Sequence, residues 1–244
     1  GFFDDIMQVV NRLPKDRQTI MFSATMPPKI RQLAKTILNN PVEVKIAISR
    51  PPENIMQTAY ICNEAQKPAI VRSLFASNDQ NKVIIFSGSK LKVKEITKTF
   101  RQMGLSVGEM HSDLEQTQRE HIMHEFKNNR VNILVATDIV SRGIDIDDIS
   151  LVINYDVPHD AEDYVHRIGR TARASAKGMS ITFVSTEEQY KFKQIENFLE
   201  KDIYKIPLPE EVGEGPEYNP EKNKHAKKTF SKGKGAFSRN KPKR

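Results

Sequence analysis

The densest chemistry in the chain is the run His166-Arg167-Ile168-Gly169-Arg170-Thr171-Ala172-Arg173. The segment before it, Asp160-Ala161-Glu162-Asp163-Tyr164-Val165, reads as a helix opening: Asp160 suits the N-cap and acids crowd the first turn. On a helix, His166, Arg170 and Arg173 fall at i, i+4 and i+7 and share one face. A solvated face usually mixes signs, whereas this one presents only donors. An all-donor face needs an anion opposite it, and the planar guanidinium fork suits phosphate best. A surface helix that happens to be basic is the alternative, and this stretch alone does not separate the two.

Other segments carry weaker signals, three of them suited to phosphate. Thr137-Asp138-Ile139-Val140-Ser141-Arg142-Gly143-Ile144-Asp145 directly follows an apolar run. The Thr137 hydroxyl can bond a phosphate oxygen, Gly143 permits a tight or left-handed backbone, and Asp145 can accept from a ribose hydroxyl. An ordinary strand-end turn uses the same residue types. Gln116-Thr117-Gln118-Arg119 fits the first turn of a helix, where unpaired N–H groups attract anions and Arg119 adds charge. A solvated helix start would look the same. Ser87-Gly88-Ser89-Lys90 offers small hydroxyls, backbone N–H groups and one cation, and Ser23-Ala24-Thr25 is a small-residue turn.

The elements that must position these residues follow from periodicity. Residues 1–13 have helical spacing, 18–23 are an apolar run of strand length, 30–38 are helical again, and 42–48 alternate as a short strand would. Ser49 to Asn54, with two prolines, has linker chemistry. Strands are then expected at 55–62, 82–87, 105–110, 131–137, 151–155 and 180–184. Helices are expected at 68–76, 90–103, 114–127 and 187–200, besides the arginine helix. Gly104 suits a helix C-cap. Strands alternating with helices of this length indicate a parallel sheet covered on both faces, with ligands at the carboxyl ends of the strands. The loops after Ser87, Met110, Thr137 and Tyr155 are therefore the places to look for chemistry. From about residue 204 prolines and glycines break the pattern, and Lys, Gly, Ser and Asn dominate to Arg244, which reads as disorder.

Charge is unevenly placed. The net charge is +7, yet residues 221–244 hold ten Lys/Arg against one acid, and the other 220 residues hold 28 Lys/Arg against 30 acids. The basic character belongs to the tail, which reads as a polyanion arm. A single cysteine, Cys62, excludes an intramolecular disulfide and a cysteine metal cluster, and points to the cytoplasm. No stretch has the roughly 20 apolar residues of a membrane span. The opening Gly1-Phe2-Phe3 reads as the interior of a helix, so the chain is expected to be a piece of a longer one.

In this order and spacing, Ser23-Ala24-Thr25, the Val83 to Lys90 strand end, Gln116-x-x-Arg119, Ala136-Thr137-Asp138…Ser141-Arg142-Gly143-Ile144-Asp145 and His166 to Arg173 resemble the DEAD-box family of ATP-dependent RNA helicases, in superfamily 2. The resemblance covers about residues 1–203, and its last two blocks are the most specific. It implies two RecA-like domains closing on ATP and single-stranded RNA. This chain looks like the end of the first (1–48), a linker (49–54), the complete second domain (55–203) and a basic tail (204–244). By resemblance, Arg170 and Arg173 approach the γ-phosphate as arginine fingers, and Asp145 and Gly143 line the nucleotide. His166 and Arg167 link the arginine helix to the first domain and the RNA side, with Ser23 and Thr25 as relays. Thr137, Gln116, Arg119 and the Ser87-Gly88-Ser89 loop touch RNA phosphates. Mg²⁺ falls mainly to parts of the first domain that this sequence does not contain, as it has neither the Gly-Lys-Thr loop nor the Asp-Glu-Ala-Asp box. One departure is Ala172, where the family usually has glycine; alanine favours helix, so a slight adjustment is expected. The tail's lysines, with Phe230 and Phe237 among them, suit non-specific RNA binding. A non-catalytic RNA- or protein-binding module of the same fold and a DNA-directed superfamily 2 helicase are the alternatives.

Overall fold

The run Lys82–Phe86, rich in β-branched residues, becomes the strand β2 in the computed structural model, with every residue from Val83 to Phe86 buried. The structure describes residues 3–23, 26, 28–44, 54–76, 82–138, 149–172 and 177–222. Around β2 stand β1 (Ile55–Ile61), β3 (Val107–Met110), β4 (Ile133–Ala136), β5 (Ile149–Asn154), β6 (Gly178–Val184) and β7 (Tyr204–Lys205). They form one seven-stranded sheet in the order β3-β4-β2-β5-β6-β1-β7. Every neighbouring pair is parallel.

Successive side chains of a strand point to opposite faces, and β2 shows the result. Val83 and Ile85 pack with Ile70 and Val71 of α3 (Lys67–Leu74) and with Val93, Ile96 and Phe100 of α4 (Lys90–Gln102). Ile84 and Phe86 pack with Phe126 of α5 (Gln116–Lys127) on the other face. Ala59, Ile61 and Val184 meet α6 (Ala161–Ile168) through Tyr164, Val165 and Ile168, and α7 (Gln189–Leu199) through Phe192 and Ile195. Burying each such side chain stabilises by about 1.5–3 kcal/mol. The caps follow the sequence chemistry. Asp160 Oδ1 accepts from Asp163 N (2.8 Å) to start α6, and Gly104 turns the chain after α4 at φ +81°.

The chain divides into two compact units, Gly1–Ser49 and Arg50–Arg244. The first unit contains α1 (Phe3–Val10) and α2 (Pro28–Ile37). The strand expected at 18–23 does not form: this stretch is irregular, with Ile20 65% and Phe22 93% exposed. A strand needs a neighbour for its ladder, and none pairs with it among the described residues. Residues 42–44 are likewise irregular, and the rest of the strand expected at 42–48 lies outside the described residues.

The second correction is at the other end. Residues 204–222 are ordered where disorder was expected. β7 joins the sheet beside β1, and Ile206, Leu208 and Val212 pack on the α3–α4 core. Tyr218 stacks edge-on to Phe192 and donates to the buried carboxylate of Glu196 (2.8 Å). Gln66 and Gln189 bond the carbonyls of Val212, Glu214 and Glu217 (2.8–3.2 Å). Prolines and glycines thus shape a fitted strap: a Cβ on Gly215 would stand 2.3 Å from the Ile61 carbonyl oxygen. Residues 223–244 lie outside the described residues.

Candidate functional site

Because all strands are parallel, their carboxyl ends share one edge of the sheet. The order β3-β4-β2-β5 makes the four loops singled out in sequence neighbours along that edge. Main-chain bonds tie them directly: Thr137 N donates to Met110 O (3.1 Å), Ser87 N to Ala136 O (3.0 Å) and Tyr155 N to Phe86 O (2.9 Å).

After β3, Gln116 is exposed and bonds Glu120 on its own helix (2.8 Å). Arg119 donates through Nη2 to Ser112 O (3.1 Å), but its buried Nε has no hydrogen-bond partner. Neither ring nitrogen of the buried His111 has one; the closest acid oxygen is Glu109 Oε2, at 3.7 Å. Polar atoms left unmatched at this depth are costly in the absence of a ligand. Beside them Asp113 bridges Lys90 (2.6 Å) and Lys94 (2.9 Å), whose hydrogen bonds hold its carboxyl down to about 2.

After β2 the three loop residues divide. Ser87 is buried and its hydroxyl donates inward to Asp156 Oδ2 (2.8 Å), joined there by Gly88 N (2.9 Å). Gly88 and Ser89 are exposed, and Ser89 Oγ caps α4 by accepting from Lys92 N (3.3 Å). Asp156 also takes Lys92 Nζ on Oδ1, with the fully buried Lys67 Nζ at 3.6 Å. Burial pushes the Asp156 carboxyl up, but the bonds from Lys92 and Gly88 and the charge of Lys67 outweigh it and hold the group below the usual carboxylate range. Nothing in the sequence linked Asp156 to Ser87: sixty-nine residues separate them.

The arginine segment differs from its expected form. The helix stops at Ile168, capped by Gly169, and Ala172 has φ +58°. His166 and Arg170 are therefore not one turn apart on a continuous helix. Ala172 occupies the left-handed region in which glycine is unstrained, so alanine's helix preference has no bearing there. Replacing Ala172 by glycine is expected to raise stability by about 1 kcal/mol, seen as a melting temperature higher by about 2–4 °C. An unchanged or lower melting point would show that the site bears no strain.

Within this segment Arg167 turns inward. Resemblance assigns it to a domain interface, yet it is 3% exposed and grips Asp138 with both arms of its fork (Nε–Oδ1 2.6 Å, Nη2–Oδ2 2.7 Å). Its Nη1 donates to Asp156 O (3.0 Å) and Asn154 Oδ1 (3.3 Å), and the group stacks over Phe86. The carboxylate beyond β4 matches the fork, which explains the inward turn. Arg170 follows the helix end, half-buried, with Nε donating to His166 O (3.3 Å). The next residue, Thr171, is buried and pinned through Oγ1 to Ile149 O. His166 is half-buried, Thr137 is half-buried, and Ser23 is exposed in the first unit. Asp145, Gly143, Arg173 and Thr25 lie outside the described residues.

Residues 66–175 match the family described as the helicase conserved C-terminal domain. The ATP-dependent RNA helicase CshA of Limosilactobacillus reuteri is 38% identical over 218 residues, which is 88% of this chain and 44% of that protein. The Escherichia coli DEAD-box protein SrmB, solved with the regulator of ribonuclease activity A, is 30% identical with a TM-score of 0.64; the match covers 68% of this chain and 99% of SrmB as solved. The chain belongs to the DEAD-box family. A Saccharomyces cerevisiae Dbp5 structure bound to RNA and ADP–BeF3 superposes on 84% of this DEAD-box chain and 55% of Dbp5, with a TM-score of 0.75 and 31% identity. The RecA-like fold is thereby shown. The DEAD-box chain spans less than half the length of the curated relative it matches. Among its described residues no helix is long and apolar enough to cross a membrane, and no group of three or more His, Cys, Asp or Glu is gathered as a metal would need.

Proposed function

We propose that this chain is the second-domain portion of a cytoplasmic ATP-dependent RNA helicase, binding the RNA phosphate backbone and supplying arginine fingers to ATP hydrolysis. The observation that carries the reading is the shared carboxyl edge. There the loops after β2, β3 and β4 gather hydroxyls and N–H groups, and the buried Arg119 Nε and His111 ring nitrogens have no hydrogen-bond partner. Donors of this kind position a strand through its phosphates without reading sequence. Thr137, Gln116, Arg119, Gly88 and Ser89 take that role, with Ser87 shaping the loop from beneath. RNA is the ligand named for the Dbp5 relative, and the basic tail suits the same polyanion.

For ATP, the residues in place fit the chemistry of a triphosphate. Arg170 is a half-buried cation just past α6, next to Thr171 that is pinned to the start of β5, and the Asp138 carboxylate is engaged by the Arg167 fork. Arg170 and Arg173 neutralise charge on the γ-phosphate, Asp145 and Gly143 line the ribose, and His166, Ser23 and Thr25 relay between domains. Mg²⁺ is assigned no ligand in this chain. A nucleotide bound with Mg²⁺ supplies the phosphoryl group that water attacks; the chain's own part is to hold charge and orient RNA.

The test is direct. Purified chain is expected to bind fluorescent single-stranded RNA with salt-sensitive affinity and to release no phosphate from ATP and Mg²⁺, with or without RNA. RNA-stimulated phosphate release by this chain, or a lack of RNA binding, would refute the reading.

A further inference from the structure

Asp156 touches both halves of the proposed site. Its side chain reaches the loop after β2, accepting from Ser87 Oγ and Gly88 N on Oδ2. Its main-chain carbonyl reaches the arginine helix, accepting from Arg167 Nη1. The other arms of Arg167 hold Asp138, next to Thr137. One residue is thus bonded to the β2 loop and, through Arg167, to the β4 loop and the segment that presents Arg170.

The joint is also stiff. Lys92 occupies Oδ1, and Lys67, with no exposed surface, stands behind it, donating to Tyr155 O (2.7 Å) and paired with Glu64. With both oxygens engaged, the carboxylate cannot swing away when the loop moves. A displacement of Gly88 and Ser89 on contact with an RNA phosphate must either break short bonds or carry Asp156 and Arg167 with it. Arg170 lies three residues from Arg167, joined by the Arg170 N to Arg167 O bond (3.1 Å).

We infer that Asp156 is the mechanical joint between the RNA-contacting loop after β2 and the arginine helix, and so a positioning residue for RNA-stimulated ATP turnover. The inference rests on the proposed helicase function. A contiguous chain of contacts is a geometric fact and becomes coupling only when both sites respond to its rupture.

The experiment compares Asp156→Asn with Asp156→Ala in the whole helicase, reading ATP turnover at saturating RNA and without RNA, with thermal melting alongside. Both substitutions remove the charge beside Lys67 and Lys92 and share that cost. Only asparagine keeps an acceptor for Ser87 and Gly88. The ratio of RNA-saturated to RNA-free turnover is expected to fall by about tenfold or more in Asp156→Ala, up to the ~10² that a remote misplacement of a site can cost, with most of the ratio kept in Asp156→Asn. Equal loss in the two variants overturns the joint, since the residue then acts through charge alone. A wild-type ratio in Asp156→Ala overturns it too, as does a loss that higher RNA concentration fully restores. If Asp156→Ala does not fold, Lys92→Gln loosens the same carboxylate from its exposed side. A smaller fall in the ratio is then expected, and an unchanged ratio counts against the joint. A wild-type protein without RNA stimulation would remove the proposed function itself, a separate result.

Discussion

Replacing Arg170 by alanine in the whole helicase is expected to cut RNA-stimulated ATP turnover by about 10³–10⁵, the range for arginine fingers in phosphoryl transfer. RNA affinity should stay within a few-fold, because the loops proposed to contact phosphate follow the carboxyl ends of β2, β3 and β4, whereas Arg170 adjoins Thr171, pinned to Ile149 at the start of β5. The large effect follows from preorganisation. Arg170 sits just after a capped helix end, its Nε is held by the His166 carbonyl, and Thr171 beside it is buried and pinned to β5. A cation held this way meets developing charge without reorganising. Arg170→Lys should recover little, since an ammonium lacks the planar fork. Steady-state phosphate release at saturating ATP and RNA, with RNA anisotropy in parallel, reads both quantities. Turnover near wild type would remove the finger role; loss of RNA binding in step with turnover would favour a folding defect.

The second large effect is on stability. Arg167→Met keeps volume but leaves the Asp138 carboxylate without its bidentate partner, in a pair whose arginine is 3% exposed. Breaking a fully buried pair from one side costs about 3–5 kcal/mol, and the partial exposure of Asp138 brings the expected loss to about 2–4 kcal/mol. For a domain of this size that lowers the melting temperature by about 4–16 °C. Arg167→Met combined with Asp138→Leu should recover part of the loss, because it removes the carboxylate that lost its bidentate fork as well. A single-variant loss below about 1 kcal/mol would show that the pair does not hold the arginine helix down.

Much of the second domain was legible in its sequence. Runs such as Val83 to Phe86 and Leu134 to Ala136 are too apolar for any place but a buried strand, and Asp160 and Gly104 mark helix boundaries by chemistry that acts within a few residues. Three features were misread for one reason: each depends on a distant neighbour. Residues 18–23 have strand composition but no ladder partner among the described residues. Residues 204–222 look like a linker, yet β1, Gln66, Gln189 and Glu196 give them partners. The arginine helix ends at Ile168, and the chain beyond it is tied by Thr171 Oγ1 to Ile149 O, 22 positions away at the start of β5.

The site divides in the same way. The sequence by itself determined which residues are candidates for chemistry: hydroxyls, glycines and arginines after the strands, in an order that resembles one helicase family. Those features are local, so residue type and spacing suffice to find them. Only the tertiary structure decided which of them point outward and which hold the others in place. Arg167 and Ser87 turn inward because matching acids, Asp138 and Asp156, just past the ends of β4 and β5, reach them from 29 and 69 positions away in the chain. The strand order then brings four separate loops to one edge, where their hydrogen bonds can run through Asp156.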